Sequence, residues 1–257
     1  MRENMATISK QRLKKVLSDV AREYFQESDY SALLQTSRIA YLHMLLKELK
    51  TRKNANIRLL EIGCGAGFNL LVLEKIGFKE LIGVDVLSPD TWRLKKPLNF
   101  HYLTRDVCSS PLPFGDNSCH VVLLIDVLEH LYDPAYLLKE VSRILSADGL
   151  LVIRTPNIAN LRNRILLLFG KSPHLELEGF LFKHRVESSR IYLGHVREYT
   201  GYELRQMFSS FGFKVLSLKY FCAEPFGKSR RYLLKLYTLF ESFYPKWKSI
   251  IVVLAEK

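Results

Sequence analysis

Leu59-Leu60-Glu61-Ile62-Gly63-Cys64-Gly65-Ala66-Gly67-Phe68-Asn69 is the stretch that decides how the rest of the chain is read. An apolar run enters it from Ile57, and Leu70, Leu71, Leu73 and Ile76 leave it at helical spacing. The order is strand, glycine turn, helix. Glycines at every second position let the backbone bend sharply and let a ligand approach, because no Cβ intervenes. The helix that follows offers its first N–H groups to whatever lies in the turn.

Strands and helices alternate downstream. Glu80–Val86 reads as a second strand ending on Asp85, and Asn99–Thr104 as a third leading to Asp106. Cys119–Ile125 is a short apolar run typical of a buried parallel strand, and it ends at Asp126. Pro134–Leu145 gives a helix, and Asp148-Gly149 turns into the strand Leu150–Arg154. This alternation predicts a doubly wound α/β sheet, whose ligands lie beyond the carboxyl ends of the strands. Glu61, Asp85, Asp106 and Asp126 all fall at such ends, so one site is expected there.

Upstream, residues 1–56 read as a helical lead-in, and residues 57–257 as one domain with cap insertions at about 158–198 and 222–248. Thr200-Gly201-Tyr202-Glu203 has capping-box spacing ahead of an amphipathic helix, Phe213–Tyr220 alternates like a strand, and Ile250–Leu254 reads as a final buried strand. The segment Arg230–Tyr244 carries an apolar helical side, for which docking onto the protein's own core is favoured over peripheral contact with a membrane surface.

The chain has 257 residues and a net charge of +12. Residues 58–149 carry 9 basic and 12 acidic side chains, whereas residues 150–257 carry 18 and 8. The basic half suits an anionic substrate or surface, while the glycine-turn region is acidic. Four cysteines, with no C-x-x-C pair, speak against a disulfide framework or structural zinc and fit a reducing, cytoplasmic setting. No apolar run approaches the roughly 20 residues that cross a bilayer.

The glycine spacing separates two kinds of ligand. A dinucleotide fold places its third glycine one residue later than Gly67. A carboxylate at Glu61 faces a pyrophosphate unfavourably and a cation favourably. Asp85, about 20 residues beyond the turn, stands where a carboxylate accepts ribose hydroxyls.

Glu61-x-Gly63-x-Gly65-x-Gly67, the strand ending in Asp85, Asp106-Val107 and Asp126-Val127-Leu128-Glu129-His130 together resemble the class I S-adenosylmethionine-dependent methyltransferases. The small-molecule and glycan type, with the ubiquinone-biosynthesis O-methyltransferase branch, is the nearest likeness. It is strong over roughly residues 35–155. Gly194-His195-Val196-Arg197-Glu198-Tyr199-Thr200 is similar to a later element of bacterial members. The resemblance implies a Rossmann-like seven-stranded sheet, mostly parallel, with an antiparallel last strand. It also implies S-adenosyl-L-methionine as cofactor, with Gly63, Cys64, Gly65 and Gly67 around its methionine, Asp85 and Val86 at its ribose, and Asp106 and Val107 at its adenine. Arg38, Glu61 and Asp126 complete the expected cofactor set.

The family's acid two residues into the fourth strand is His120 here, and its Lys-Pro-Gly-Gly turn is Ser146-Ala147-Asp148-Gly149. Some quinone O-methyltransferases hold a divalent metal on Glu-x-x-Glu-His. This chain has Asp126-x-x-Glu129-His130, and no metal is expected. His130 and His195 are the candidate catalytic bases for a hydroxyl acceptor, with Arg197 and Tyr199 as substrate-binding residues. The expected partner is a small-molecule, glycan or lipid-linked acceptor rather than nucleic acid. The alternatives are an inactive cofactor-binding interaction protein and a nucleic-acid methyltransferase using the basic half.

Overall fold

A computed structural model describes residues 8–27, 33, 35–50, 56–173, 194–222, 239–240 and 243–257. Residues 174–193, 223–238 and 241–242 of the cap segments, and with them most of the Arg230–Tyr244 segment, lie outside these residues. In chain order the elements are α1 (Lys10–Tyr24), α2 (Thr36–Lys50), β1 (Arg58–Ile62), α3 (Phe68–Ile76), β2 (Glu80–Asp85), β3 (His101–Thr104) and β4 (Cys119–Ile125). Then come α4 (Pro134–Ile144), β5 (Leu145–Pro156), α5 (Leu161–Leu168), α6 (Gly201–Ser210), β6 (Lys214–Phe221) and β7 (Ile250–Glu256).

The strands form one seven-stranded sheet in the order β3-β2-β1-β4-β5-β7-β6. Pairing is parallel from β3 through β5, and β7 runs antiparallel to both β5 and β6. The predicted doubly wound sheet with one antiparallel last strand is therefore present. Successive side chains of each central strand serve opposite faces, as the pleat requires. Leu59, Val121, Leu123, Val152 and Val252 join one core with α1, α2 and α3. Leu60, Ile62, Val122, Leu124, Ile153 and Val253 join the other with α4 and α6. Burial on both faces explains why β4 reads as an unbroken apolar run.

Both lead-in helices belong to the first core. Ser9 caps α1 by accepting from the Arg12 N–H at 3.1 Å, and Leu13, Leu17, Val20 and Ala21 are fully buried. α1 packs on α2 and α3, and α2 packs on β7. One expectation is corrected at β5. Asp148-Gly149 does not precede the strand but sits inside it, where the register slips between Cys119↔Leu145 and Val121↔Leu150. Asp148 takes a left-handed φ of 58° there. The unusual His120 is structural: its Nδ1 accepts the Arg58 N–H at 3.1 Å and joins the start of β1 to β4.

The glycine turn is fixed by its own packing. Gly63, at φ 67°, donates to the Val84 carbonyl at 2.7 Å, and a Cβ there would lie 2.5 Å from Val127 Cγ2. Gly67, at φ 75°, caps α3, and a Cβ would lie 2.2 Å from Phe100 Cζ. At these two positions the missing Cβ makes room for protein side chains rather than for a ligand. Among the described residues, no helix is long and apolar enough to cross a membrane.

Gly67→Ala should therefore destabilise the fold by about 2 kcal/mol or more, from left-handed strain plus overlap with Phe100. Gly115→Ala, which meets nothing within 4 Å, should stay within about 0.5 kcal/mol. Urea denaturation of the two variants checks the difference, and equal losses would contradict it.

Candidate active site

A cavity of about 320 Å³ opens beyond the carboxyl ends of β1 and β4. Arg38, Glu61, Gly63, Cys64, Gly65 and Asp126 line it, together with Trp92, Arg93 and Leu94 from the loop after β2. Of the cofactor residues expected from sequence, these six are brought together on its wall. Gly67, Asp85, Val86, Asp106 and Val107 are not part of the wall.

Glu61 is 1% exposed at the end of β1. One carboxylate oxygen accepts a short hydrogen bond from the Asn69 amide, and the other is buried without a partner among the described residues. Burial pushes its pKa up to about 7, against a smaller lowering by Asn69 and then by the Arg38 charge. The Asn69 carbonyl accepts in turn from Arg38 Nη1 at 2.5 Å and from the Tyr41 hydroxyl at 2.6 Å. Arg38 lies over the Phe68 ring at 5.1 Å, and its Nε is a further buried donor without a partner among the described residues. Burial also pushes the Tyr41 hydroxyl up to about 12, so it stays a proton donor. The lead-in helix thus supplies two groups to the glycine turn.

Asp126 closes the opposite side. It has a left-handed φ of 56°, and one carboxylate oxygen makes a short ion pair with Arg154 Nη1. The other oxygen is buried without a partner among the described residues. Arg154 is 6% exposed; it donates through Nε to Ser37 Oγ at 3.2 Å and through Nη2 to Gln35 Oε1 at 2.5 Å. Burial lowers its pKa to about 10, which leaves it charged at neutral pH. Sequence reading had Arg154 only as the end of a strand.

The other strand-end acids brace loops. Asp85 accepts the Gly65 N–H at 2.7 Å and the Leu87 N–H at 2.9 Å, which holds the glycine turn against the end of β2. Asp106 accepts the Cys108 N–H at 2.9 Å and a short bond from Ser109, within its own turn. Val107 packs against the second core. Cys64 is buried, and desolvation raises its thiol pKa, so it remains a neutral lining group.

The two candidate bases meet. The His130 and His195 rings pack edge to face at 5.1 Å between centroids. The Glu129 carbonyl brings them together by accepting the Val196 N–H at 2.7 Å and the Arg197 N–H at 3.2 Å. His130 Nδ1 lies 3.0 Å from the Gly194 carbonyl, and His195 Nδ1 lies 2.9 Å from Glu198 Oε1. Each partner is an acceptor, so each Nδ1 carries a proton. Glu129 is 1% exposed and accepts from Thr155 Oγ1 at 3.0 Å, and burial raises its pKa to about 7.

Ligand atoms of Glu129, His130 and His195 lie within 4.8 Å of one another, a spacing that could hold a metal ion. The composition differs from the Asp126-x-x-Glu129-His130 trio considered from sequence, because Asp126 turns to Arg154 and His195 takes the third place. Arg197 and Tyr199 line a separate cavity of about 350 Å³ beside α6, with the guanidinium 5.5 Å from the ring centroid and 2.8 Å from Glu203 Oε1. They are not brought together with the residues of the first cavity.

Comparison with known proteins gives the same picture. Residues 34–218 match the model of a methyltransferase domain family. A probable S-adenosylmethionine-dependent methyltransferase of Mycobacterium tuberculosis is 31% identical over 99 residues, covering 38% of this chain but only 35% of that relative. A ubiquinone biosynthesis O-methyltransferase of Pelagibacter ubique is 26% identical over 176 residues, covering 65% of this chain and 72% of its own length. Among solved structures, S-adenosylmethionine-dependent methyltransferases of Archaeoglobus fulgidus and Mesorhizobium loti share the fold. Their TM-scores are 0.53 and 0.55, at 18% and 16% identity, over 86% and 85% of this chain and 94% and 96% of theirs.

The raised pKa of Glu61 gives a signed expectation for stability. Its folded value of about 7 lies above the ordinary 4.5, so the folded state holds the proton more tightly. Its contribution is fully present below the ordinary value and is lost as pH rises through about 7. Glu61→Gln should raise the Tm of the ligand-free protein by a few degrees near pH 8 and change it little near pH 5. Scanning calorimetry at the two pH values decides, and an equal shift at both would refute the assignment.

Proposed function

The chain belongs to the S-adenosylmethionine-dependent methyltransferase family, and on that premise we propose that it O-methylates a small-molecule, sugar or lipid-linked hydroxyl acceptor. The observation that carries the reading is the histidine pair. His130 follows Asp126, which lines the cavity, by only four residues in the chain, and the His195 ring packs on it at 5.1 Å. The relatives named as ubiquinone biosynthesis O-methyltransferases are consistent with it.

The cavity fits the donor chemically. Glu61 and Asp126 each hold a buried carboxylate oxygen without a partner among the described residues, suited to an ammonium and a nearby sulfonium. The open Nε of Arg38 suits a carboxylate. Asp85 stands behind Gly65 with both oxygens already accepting N–H groups, which positions the turn and leaves acceptor capacity for ribose hydroxyls. When bound, S-adenosylmethionine supplies an electrophilic methyl group on sulfur.

The protein's own contribution is alignment and proton removal. The glycine turn, Asp126 and the Arg38 network fix the donor pocket, and good alignment is worth roughly 7–11 kcal/mol of an in-line displacement. His130 or His195 takes the acceptor's hydroxyl proton on Nε2 as the oxygen–methyl bond forms and the carbon–sulfur bond breaks. Glu198 holds the His195 ring in the tautomer this requires. A divalent ion, where one is used, would be held by Glu129, His130 and His195 and would lower the pKa of the acceptor hydroxyl.

Calorimetric titration with S-adenosylmethionine should show binding that Asp126→Asn or Arg38→Met weakens about tenfold or more. Methyl-labelled donor and a panel of phenols, sugars and lipid-linked alcohols should yield an O-methyl product by mass spectrometry. His130→Gln and His195→Gln should lower kcat while leaving the donor Kd unchanged, and chelation separates histidine-base turnover from metal-assisted turnover. Donor binding without transfer to any hydroxyl would sink the proposed reaction and favour a cofactor-binding interaction protein.

A further inference from the structure

Helix α5 is anomalous in a chain with two full cores. Asn163 is its only buried residue, and none of its apolar side chains joins either core. Leu167, Leu168 and Phe169, at its end, are 58%, 80% and 73% exposed. A second exposed apolar set precedes β7. Phe240 and Phe243 are 54% and 72% exposed with ring centroids 6.2 Å apart, and Tyr244 packs edge to face on Trp247 at 5.8 Å. The described residues of the Arg230–Tyr244 segment, Leu239, Phe240, Phe243 and Tyr244, are thus exposed rather than docked onto the core.

One buried residue ties the two sets together at the carboxyl end of β5. The Asn157 side chain donates to the Lys246 carbonyl at 2.9 Å and to the Lys248 carbonyl at 2.7 Å, and its N–H donates to the Ser249 carbonyl at 2.8 Å. Asn157 also accepts from the Ala159 N–H and from the side chain of Asn160, the cap of α5. Both apolar sets therefore spring from the end of the sheet that carries the donor cavity.

The charges around them are mostly of one sign. Residues 157–175 contain Arg162, Arg164 and Lys171 and no acid; residues 239–255 contain Lys246 and Lys248 against one acid, Glu241. Long aliphatic and aromatic tips beside cations, with a Tyr–Trp pair, are the chemistry of the boundary between lipid headgroups and acyl chains. A second copy docking face to face would bring five cations of each copy together with one acid from each. A nucleic acid would leave Leu167 and Leu168 in water. At eight residues, α5 is too short to span a bilayer and can only lie on it.

We propose that α5 and residues 239–240 and 243–249 form a docking face for an anionic phospholipid surface, which holds the donor cavity's end of the sheet at the bilayer. This goes beyond the donor and acceptor reading and survives if the acceptor proves to be a soluble sugar.

The full chain should co-sediment with vesicles of phosphatidylcholine containing about a third phosphatidylglycerol, and not with phosphatidylcholine alone. Binding should weaken as salt rises. Leu168→Glu combined with Phe169→Glu should lower the partition at least tenfold. Lys171→Gln or Lys246→Gln should lower it roughly fivefold each, from the ~1 kcal/mol that a basic side chain gains at such a surface. S-adenosylmethionine binding, measured by calorimetry, should be unchanged in all of these variants, which separates a failure of this face from a failure of the donor site. Absence of vesicle binding, or binding indifferent to the substitutions, would overturn the proposal. So would a concentration-dependent dimer, or salt-sensitive RNA binding, that the double substitution abolishes without any vesicle binding.

Discussion

The arrangement depends on one unfavourable burial, the carboxylate of Glu61 held at the end of β1 with a single amide for company. A buried ionised group without full hydrogen bonding costs several kcal/mol, so it persists only where the surroundings hold it or a ligand needs it. Here the surroundings hold half of it. Asn69 donates to one oxygen, and Asn69 is itself fixed by Arg38 and Tyr41 from α2. The other oxygen is buried without a partner among the described residues, on a side chain that lines the cavity. A cationic ligand beside it would offset the cost of that burial.

Arg154 extends the same logic across the sheet. Its guanidinium reaches Asp126 at the far wall and Gln35 and Ser37 at the start of α2, so one buried cation joins the lead-in to the carboxyl end of β5. Arg suits this role because its planar fork donates in several directions at once. Together, Arg38 and Arg154 tie the lead-in helix to the cavity, and the lead-in contributes Arg38 to its wall, as expected from sequence.

What the sequence revealed and what it hid divide along contact range. The doubly wound sheet, the glycine turn and the strand-end position of Glu61 follow from local periodicity and spacing, so they are legible in a single chain. Arg154 finds partners 117 and 119 residues away, and no local pattern announces that. The same holds for Trp92 on the cavity wall and for Phe100 filling the space at Gly67. Asp106 is legible in sequence as a strand-end acid, whereas the bonds its carboxylate accepts within its own turn are not. The His130–His195 pair was legible as two candidates and not as a pair, because the Glu129 carbonyl that joins them belongs to the backbone.

The position of β7 in the sheet bears on how the molecule is assembled. β6 pairs only with β7, and β7 lies between it and β5. The parallel half, β1 to β5, closes on contacts made within residues 58–156. β6 has no edge of its own to join until residues 250–256 have slotted against β5. During synthesis the parallel half can therefore form first, while β6 and the α6 that packs on it wait for a strand that follows them in the chain. Until then the open edge of β5 is exposed to pairing with other chains, which makes completion of this last ladder the step most open to misassembly.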